Sequence, residues 1–224
     1  HKWDTATGKT TRLVTRSDFE PYKNKIKGHT DPATWTFAHA EWAPTGKRWA
    51  VVLFVGDPNG PADSSNRWRV GNQFFLKPNG EIERLFGSGG KLNHPSFYDD
   101  TSIYGESGNK TVRAALDGTV IETAAGKTSH PSLAPDKQAI TAERRKNGKV
   151  QIVRYPYGSE NAQVIDEHPH EDVIWDIGAH TNASYSFDGD RIYYLKGNDQ
   201  GNAEIWYAEL KSDENASASG QDGH

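Results

Sequence analysis

The chain holds 224 residues, with 26 basic and 30 acidic side chains and a formal net charge of −4. That length suits one domain, a large all-β one included, and the near-neutral balance argues against a generic DNA-binding module, which carries a basic excess. No apolar run is long enough to span a bilayer, and the absence of cysteine excludes disulfides, a thiolate nucleophile, iron–sulfur clusters and Cys-ligated zinc.

Leu, Ile, Val and Phe number only 39. The low net charge argues against disorder all the same, and the aromatics, seven Trp, nine Tyr and eight Phe, supply large buried area. There is no Met, position 1 included. The expectation is a processed, trimmed or fragmentary chain, from which a signal peptide would already be gone.

In chain order, a turn at Trp3–Gly8 precedes a short strand at Lys9–Val14. Four repeats follow. The first reads His39-Ala-Glu-Trp-Ala-Pro-Thr-Gly-Lys-Arg-Trp-Ala-Val-Val. The second reads His94-Pro-Ser-Phe-Tyr-Asp-Asp-Thr-Ser-Ile-Tyr, and the third His130-Pro-Ser-Leu-Ala-Pro-Asp-Lys-Gln-Ala-Ile. The fourth is aligned on His180-Thr-Asn-Ala-Ser-Tyr-Ser-Phe-Asp-Gly-Asp-Arg-Ile-Tyr-Tyr. Each has a His, a half-apolar stretch, a turn and an apolar strand, at spacings of 55, 36 and 50 residues, close to the ~40–50 of one propeller blade.

The rest of each unit agrees. Second strands are expected at Arg48–Phe54, Ser102–Glu106, Ala139–Ala142 and Arg191–Leu195. Third strands are expected at Asn72–Leu76, Thr111–Ala115, Val150–Tyr155 and Glu204–Leu210. Gly-bearing turns at Pro78-Asn79-Gly80, Asp117-Gly118 and Pro156-Tyr157-Gly158 lead to fourth strands at Glu81–Phe86, Thr119–Glu122 and Gln163–Ile165.

The expected fold class is therefore all-β: a propeller of four-stranded antiparallel blades, four to five of them visible, either closed or part of a larger ring of about seven. The blades span roughly 39–86, 94–122, 130–165 and 180–210, one domain over 1–210. No helix of ordinary length is expected. The fourth unit stops after its third strand, so Lys9–Val14 either closes the last blade or is the stump of an earlier one. In the second case upstream blades, or a complementing chain, are missing. The polar stretch 211–224 reads as a disordered tail.

The repeat resembles the TolB-like, WD-related propeller repeat, with its His/Gly-x-Pro-x-aromatic-Ser-Pro-Asp-Gly pattern before an apolar strand. The match covers roughly residues 39–210. The recurrent His also resembles, more weakly, that of the oligogalacturonate lyase group of polysaccharide lyases, whose histidines from successive blades hold a divalent metal over the central channel.

In a propeller the first strand of each blade lies innermost, so His39, His94, His130 and His180 are expected to converge near one mouth. The lyase resemblance implies His39 and His94 as catalytic residues. It implies His94, His130 and His180 as ligands of a divalent metal (Mn, Ca or Zn), and leaves open which His is base and which is ligand. The loops between second and third strands and the links between blades share that side. There the 17-residue loop Val55–Gly71 carries Arg67-Trp68-Arg69, candidates for binding an acidic sugar: guanidinium for the carboxylate, indole for the ring. The link Asp166-Glu-His-Pro-His-Glu-Asp172, with His168 and His170, and the basic turn Arg144–Lys149 lie on the same side and read as solvated segments.

Two functions follow. One is a lyase that cleaves a uronic-acid-containing glycan by metal- or Arg-assisted β-elimination, with an acidic oligo- or polysaccharide as partner. The other is a non-catalytic interaction scaffold. For either, the expectation is a periplasmic or secreted protein with no nucleic-acid partner and no membrane span.

Overall fold

A computed structural model describes residues 2–3, 6–26, 35–55, 70–86, 92–169, 181–197 and 202–210, with residues 2–3, 38, 54, 55 and 70 described by backbone alone. The N-terminal hairpin pairs β1 (Lys2–Trp3) with β2 (Thr10–Thr11). Four meanders follow. The first orders β3 (Trp35–Trp42), β4 (Trp49–Val55), β5 (Val70–Leu76) and β6 (Ile82–Leu85). The second orders β7 (Asn93–Asp99), β8 (Ser102–Ser107), β9 (Lys110–Ala115) and β10 (Val120–Ala125). The third orders β11 (Ser129–Leu133), β12 (Ala139–Lys146), β13 (Lys149–Pro156) and β14 (Gln163–Pro169). The fourth has three strands among the described residues, β15 (Ser184–Tyr185), β16 (Arg191–Gly197) and β17 (Ala203–Glu209).

Every expected second, third and fourth strand is present within a few residues of its expected bounds. The described helical content is one 3₁₀ segment, Arg16–Tyr22, with Pro21 inside it. Lys9–Val14 is shorter as a strand than expected, and its partner is Lys2–Trp3. The expected tail at 211–224 lies outside the described residues.

The chain forms two compact units, His1–Gly105 with Val112–Glu122, and Glu106–Thr111 with Thr123–His224. In the first, β4 reads as a continuous apolar run because both faces of its sheet are covered, and β5 joins it through Phe74, Phe75 and Leu76, with Asn72 and Gln73 buried beside them. Successive side chains alternate between faces. Trp49, Val51, Leu53, Phe74 and Leu76 pack on one side with Phe19, Ile26 and Trp35. Ala50 and Phe75 pack on the other with Phe86, Leu92, Phe97, Ile103 and Val112. Phe19, fully buried, meets Phe74 edge-on at 4.8 Å and Phe37 at 5.1 Å. The 3₁₀ segment thus carries an aromatic plug for the first sheet.

The hairpin glycines do what their sequence positions require. Gly80, Gly118 and Gly158 all have positive φ. At Gly80 a Cβ would also lie 2.3 Å from the Leu13 carbonyl oxygen, so the N-terminal segment crosses this turn where no side chain fits. In the second unit, Ile140, Ala142, Val153 and Tyr155 pack with Ala124 and Ala125. Ile152 turns to the opposite face, against Ala183, Ile192 and Tyr194. The β12–β13 connection is a two-residue Asn147-Gly148 turn with positive φ at both residues, the combination that matches strand twist.

Candidate functional site

In each of the first three meanders the first strand carries a left-handed residue at the repeat's His. His39, His94 and His130 all have positive φ, at 51°, 45° and 49°. In β3 the pairing with β4 slips between Ala38 and Glu41, and in β11 the pairing with β12 slips between Ser129 and Ser132. These are β-bulges, which bend a strand and re-aim a side chain. In the fourth unit the residue with this conformation is Asn182, at φ 42°. Aligned on Asn182, the fourth repeat reads Asn-Ala-Ser-Tyr-Ser-Phe-Asp-Gly against the third's His-Pro-Ser-Leu-Ala-Pro-Asp-Lys. The alignment on His180 was two residues early, because it matched residue type rather than backbone. His180 itself lies outside the described residues, as do Arg67, Trp68 and Arg69.

Within the first unit, β3 and β7 bring His39 and His94 together. Their rings meet edge-to-face with centroids 5.9 Å apart and planes at 89°. Two residues on, Glu41 is a group that sequence reasoning passed over. Burial raises its carboxyl above the usual range, against the opposing hydrogen bonds from the Ser96 side chain and the Phe97 backbone. The signal lay in the His39-Ala-Glu41 spacing, since i and i+2 share a face in a regular strand. The bulge between them, invisible in the sequence, is what made that inference unsafe.

Within the second unit, His130 is held by two carboxylates. Its backbone N–H donates to Glu106 Oε1 at 2.8 Å. Its Nδ1 lies 2.7 Å from Glu143 Oε1. Glu143 is buried and pairs in register with Ser129, which puts its carboxylate beside the bulge. A carboxylate on one ring nitrogen fixes the orientation of an imidazole.

The link after β13 differs from the solvated loop expected. Asp166, Glu167 and His168 belong to β14. Asp166 pairs with Lys196 at 2.5 Å, Glu167 with Lys149 at 2.6 Å, and His168 is buried. The acids are therefore committed to ion pairs. His170, Glu171 and Asp172 lie outside the described residues.

Among the described residues no group of three His, Asp or Glu side chains stands close enough to hold a metal ion. The two imidazoles in contact fall short of the three or four donors a transition-metal site uses. The described part of the expected set does not make a coordination sphere for Mn, Ca or Zn, and no step below passes through one.

No protein-family model matches the sequence, and the search of curated proteins gives no match. Solved structures do match in shape. TolB from Acinetobacter baumannii superposes with a TM-score of 0.50 at 17% identity, over 78% of this chain and 41% of its own. The fold is that of a TolB-like propeller. A puromycin-hydrolyzing peptidase of Mycobacterium tuberculosis matches with a TM-score of 0.50 at 12% identity, over 80% of this chain and 31% of its own. An oligogalacturonate lyase in complex with manganese matches with a TM-score of 0.48 at 14% identity, over 78% of this chain and 54% of its own. The chain thus spans between about a third and about half the length of these three structures. Among the described residues no helix is long and apolar enough to cross a membrane.

Proposed function

We propose that this chain is a TolB-like propeller that works as a non-catalytic binding scaffold, periplasmic or secreted. One observation carries the reading. The four equivalent positions 39, 94, 130 and 182 share a positive-φ backbone, and His and Asn are among the few non-glycine residues enriched there. The backbone alone then accounts for a His that recurs from repeat to repeat, and for its replacement by Asn in the fourth.

The test is turnover. A polyuronate offered with and without added Mn, Ca or Zn is expected to give no unsaturated product above the blank. Eliminative cleavage that is lost in a folded His94→Asn variant would overturn the scaffold reading.

The second reading, a lyase acting on a uronic-acid-containing glycan, is favoured by the His39–His94 contact and by Glu41. In that chemistry a neutral imidazole takes the proton beside the uronate carboxylate. The C–H electron pair forms the double bond, and the leaving oxygen departs with a proton from an acid. Glu41, with its raised pKa, has the character of such an acid. Arg67 and Arg69 remain the candidates for neutralising the carboxylate, as a positioned cation does for developing charge.

A further inference from the structure

We infer that two copies of this chain join edge to edge through β17, antiparallel about a two-fold axis at Trp206, so that their fourth meanders form one continuous sheet. Among the described residues β17 pairs with β16 alone. Its centre is apolar and open to solvent: Ile205 is 76% exposed, Trp206 46% and Tyr207 52%. An exposed apolar edge is a template for another strand. Residues 211–224 hold no side chain more apolar than alanine, so the sequence after β17 offers nothing apolar to cover Ile205 or Tyr207.

The hydrogen-bond phase shows which backbone groups the edge presents. Ser186 donates to the Arg191 carbonyl at 2.9 Å, on the β15 side of β16, and Leu210 donates to the Asp190 carbonyl at 2.8 Å, on the β17 side. Antiparallel strands alternate between the two kinds of pair. Glu204, Trp206 and Ala208 therefore bond to β16, and the N–H and C=O groups of Ala203, Ile205, Tyr207 and Glu209 point to the open edge. Their side chains are braced from behind. Ile205 stands opposite Leu195 and Tyr207 opposite Tyr193, with the two tyrosine rings 5.9 Å apart.

A second copy matches this edge in sequence and in charge. With the axis at Trp206, Ile205 exchanges hydrogen bonds with Tyr207 of the other copy, and the reverse. The two indoles face each other, and Glu204 stands opposite Ala208, so no acid meets an acid. Moving the axis to Tyr207 would instead set Ile205 against Glu209. Cross-strand aromatic and aliphatic pairs of the first kind are the favourable ones. The charge match lies on the face toward β14. A cavity of about 410 Å³ opens there between Arg154, Gln163, Val164 and Ile165 on one side and Ala208 and Leu210 on the other. Arg154 is half-buried and makes no ion pair among the described residues. Because Ala208 lines that cavity, the second copy's Glu204, paired with Ala208, enters it beside Arg154. The two-fold axis repeats the contact, as an isologous interface requires.

Sedimentation velocity of the whole chain across a dilution series tests it. A monomer–dimer equilibrium is expected, with the mass rising from 24.8 kDa toward twice that value. Trp206→Glu sets two carboxylates opposite each other on the axis, and Tyr207→Pro removes an N–H that points away from β16, where proline is tolerated. Each is expected to raise the dimer Kd about tenfold or more. Arg154→Glu weakens the dimer as well, and combining it with Glu204→Arg restores it. Circular dichroism and the unfolding midpoint establish that each variant is folded. A wild type that stays monomeric at its highest soluble concentration, a dimer just as tight in the folded Trp206→Glu and Tyr207→Pro variants, or a double variant no tighter than Arg154→Glu alone would overturn it.

Discussion

Asp99, at the end of β7, shows how a single ionisation is built into the first unit. Burial acts to raise its pKa, but hydrogen bonds from the Thr101 hydroxyl and amide and from Ser102, with the charge of Arg113, prevail and hold it at about 2. Arg113 reaches it at 2.8 Å and stacks over Tyr98 at 3.9 Å. An unfolded Asp titrates near ~3.9, so the folded value is depressed. The stabilisation is present above that unfolded value and is lost as pH falls through about 2. Asp99→Asn is therefore expected to cost up to about 2 kcal/mol at pH 6. Urea unfolding of wild type and variant should show the gap closing between about pH 4 and pH 2; a gap independent of pH would contradict this assignment. At this scale the sequence was legible in part. It gave His39, His94 and His130 as equivalent residues, because they share a residue type. In the fourth repeat residue type pointed to His180, although the Asp188-Gly189 turn aligns on Asn182, because what the four positions share is a backbone dihedral. The pairing of His130 with Glu143 was not legible, because it joins residues of different strands.

At the scale of elements, hydrophobic alternation and turn chemistry carried most of the information. The strands of the meanders fall where apolar runs meet Asn-Gly, Asp-Gly and Tyr-Gly turns, since each turn needs a residue with positive φ and Gly supplies it. The 3₁₀ segment Arg16–Tyr22 was not legible, because seven residues with a Pro inside leave no helical period to read. Its role is nonetheless substantial. Phe19→Ala is expected to destabilise the first unit by about 3–5 kcal/mol, the range for a buried Phe, read as a lower urea midpoint by the fluorescence of its tryptophans. A loss below about 1 kcal/mol would show that the segment only rests on the sheet. The basic stretch Arg144–Lys149 was half legible. The Asn147-Gly148 turn is the solvated tip expected, but Arg144 lies before it on β12, where its Nε donates to Gln151 Oε1 of the neighbouring strand. No local pattern announces that pairing.

At the scale of the molecule, the repeat length was the decisive signal, and the meanders and the likeness to TolB agree with it. Function was less legible, because a repeated residue can be repeated for its chemistry or for its backbone. The central claim is that the first-strand histidines recur because their positions require a left-handed residue. The measurement that tests it most directly compares urea unfolding of His94→Asn and His94→Ala. Asn tolerates the left-handed region, whereas a residue that does not pays about 1–2 kcal/mol there. The account predicts that His94→Asn stays within about 1 kcal/mol of wild type and that His94→Ala is less stable than His94→Asn by about 1 kcal/mol or more. An Ala variant as stable as the Asn variant would contradict it, and the recurrence of His would then need a chemical reason.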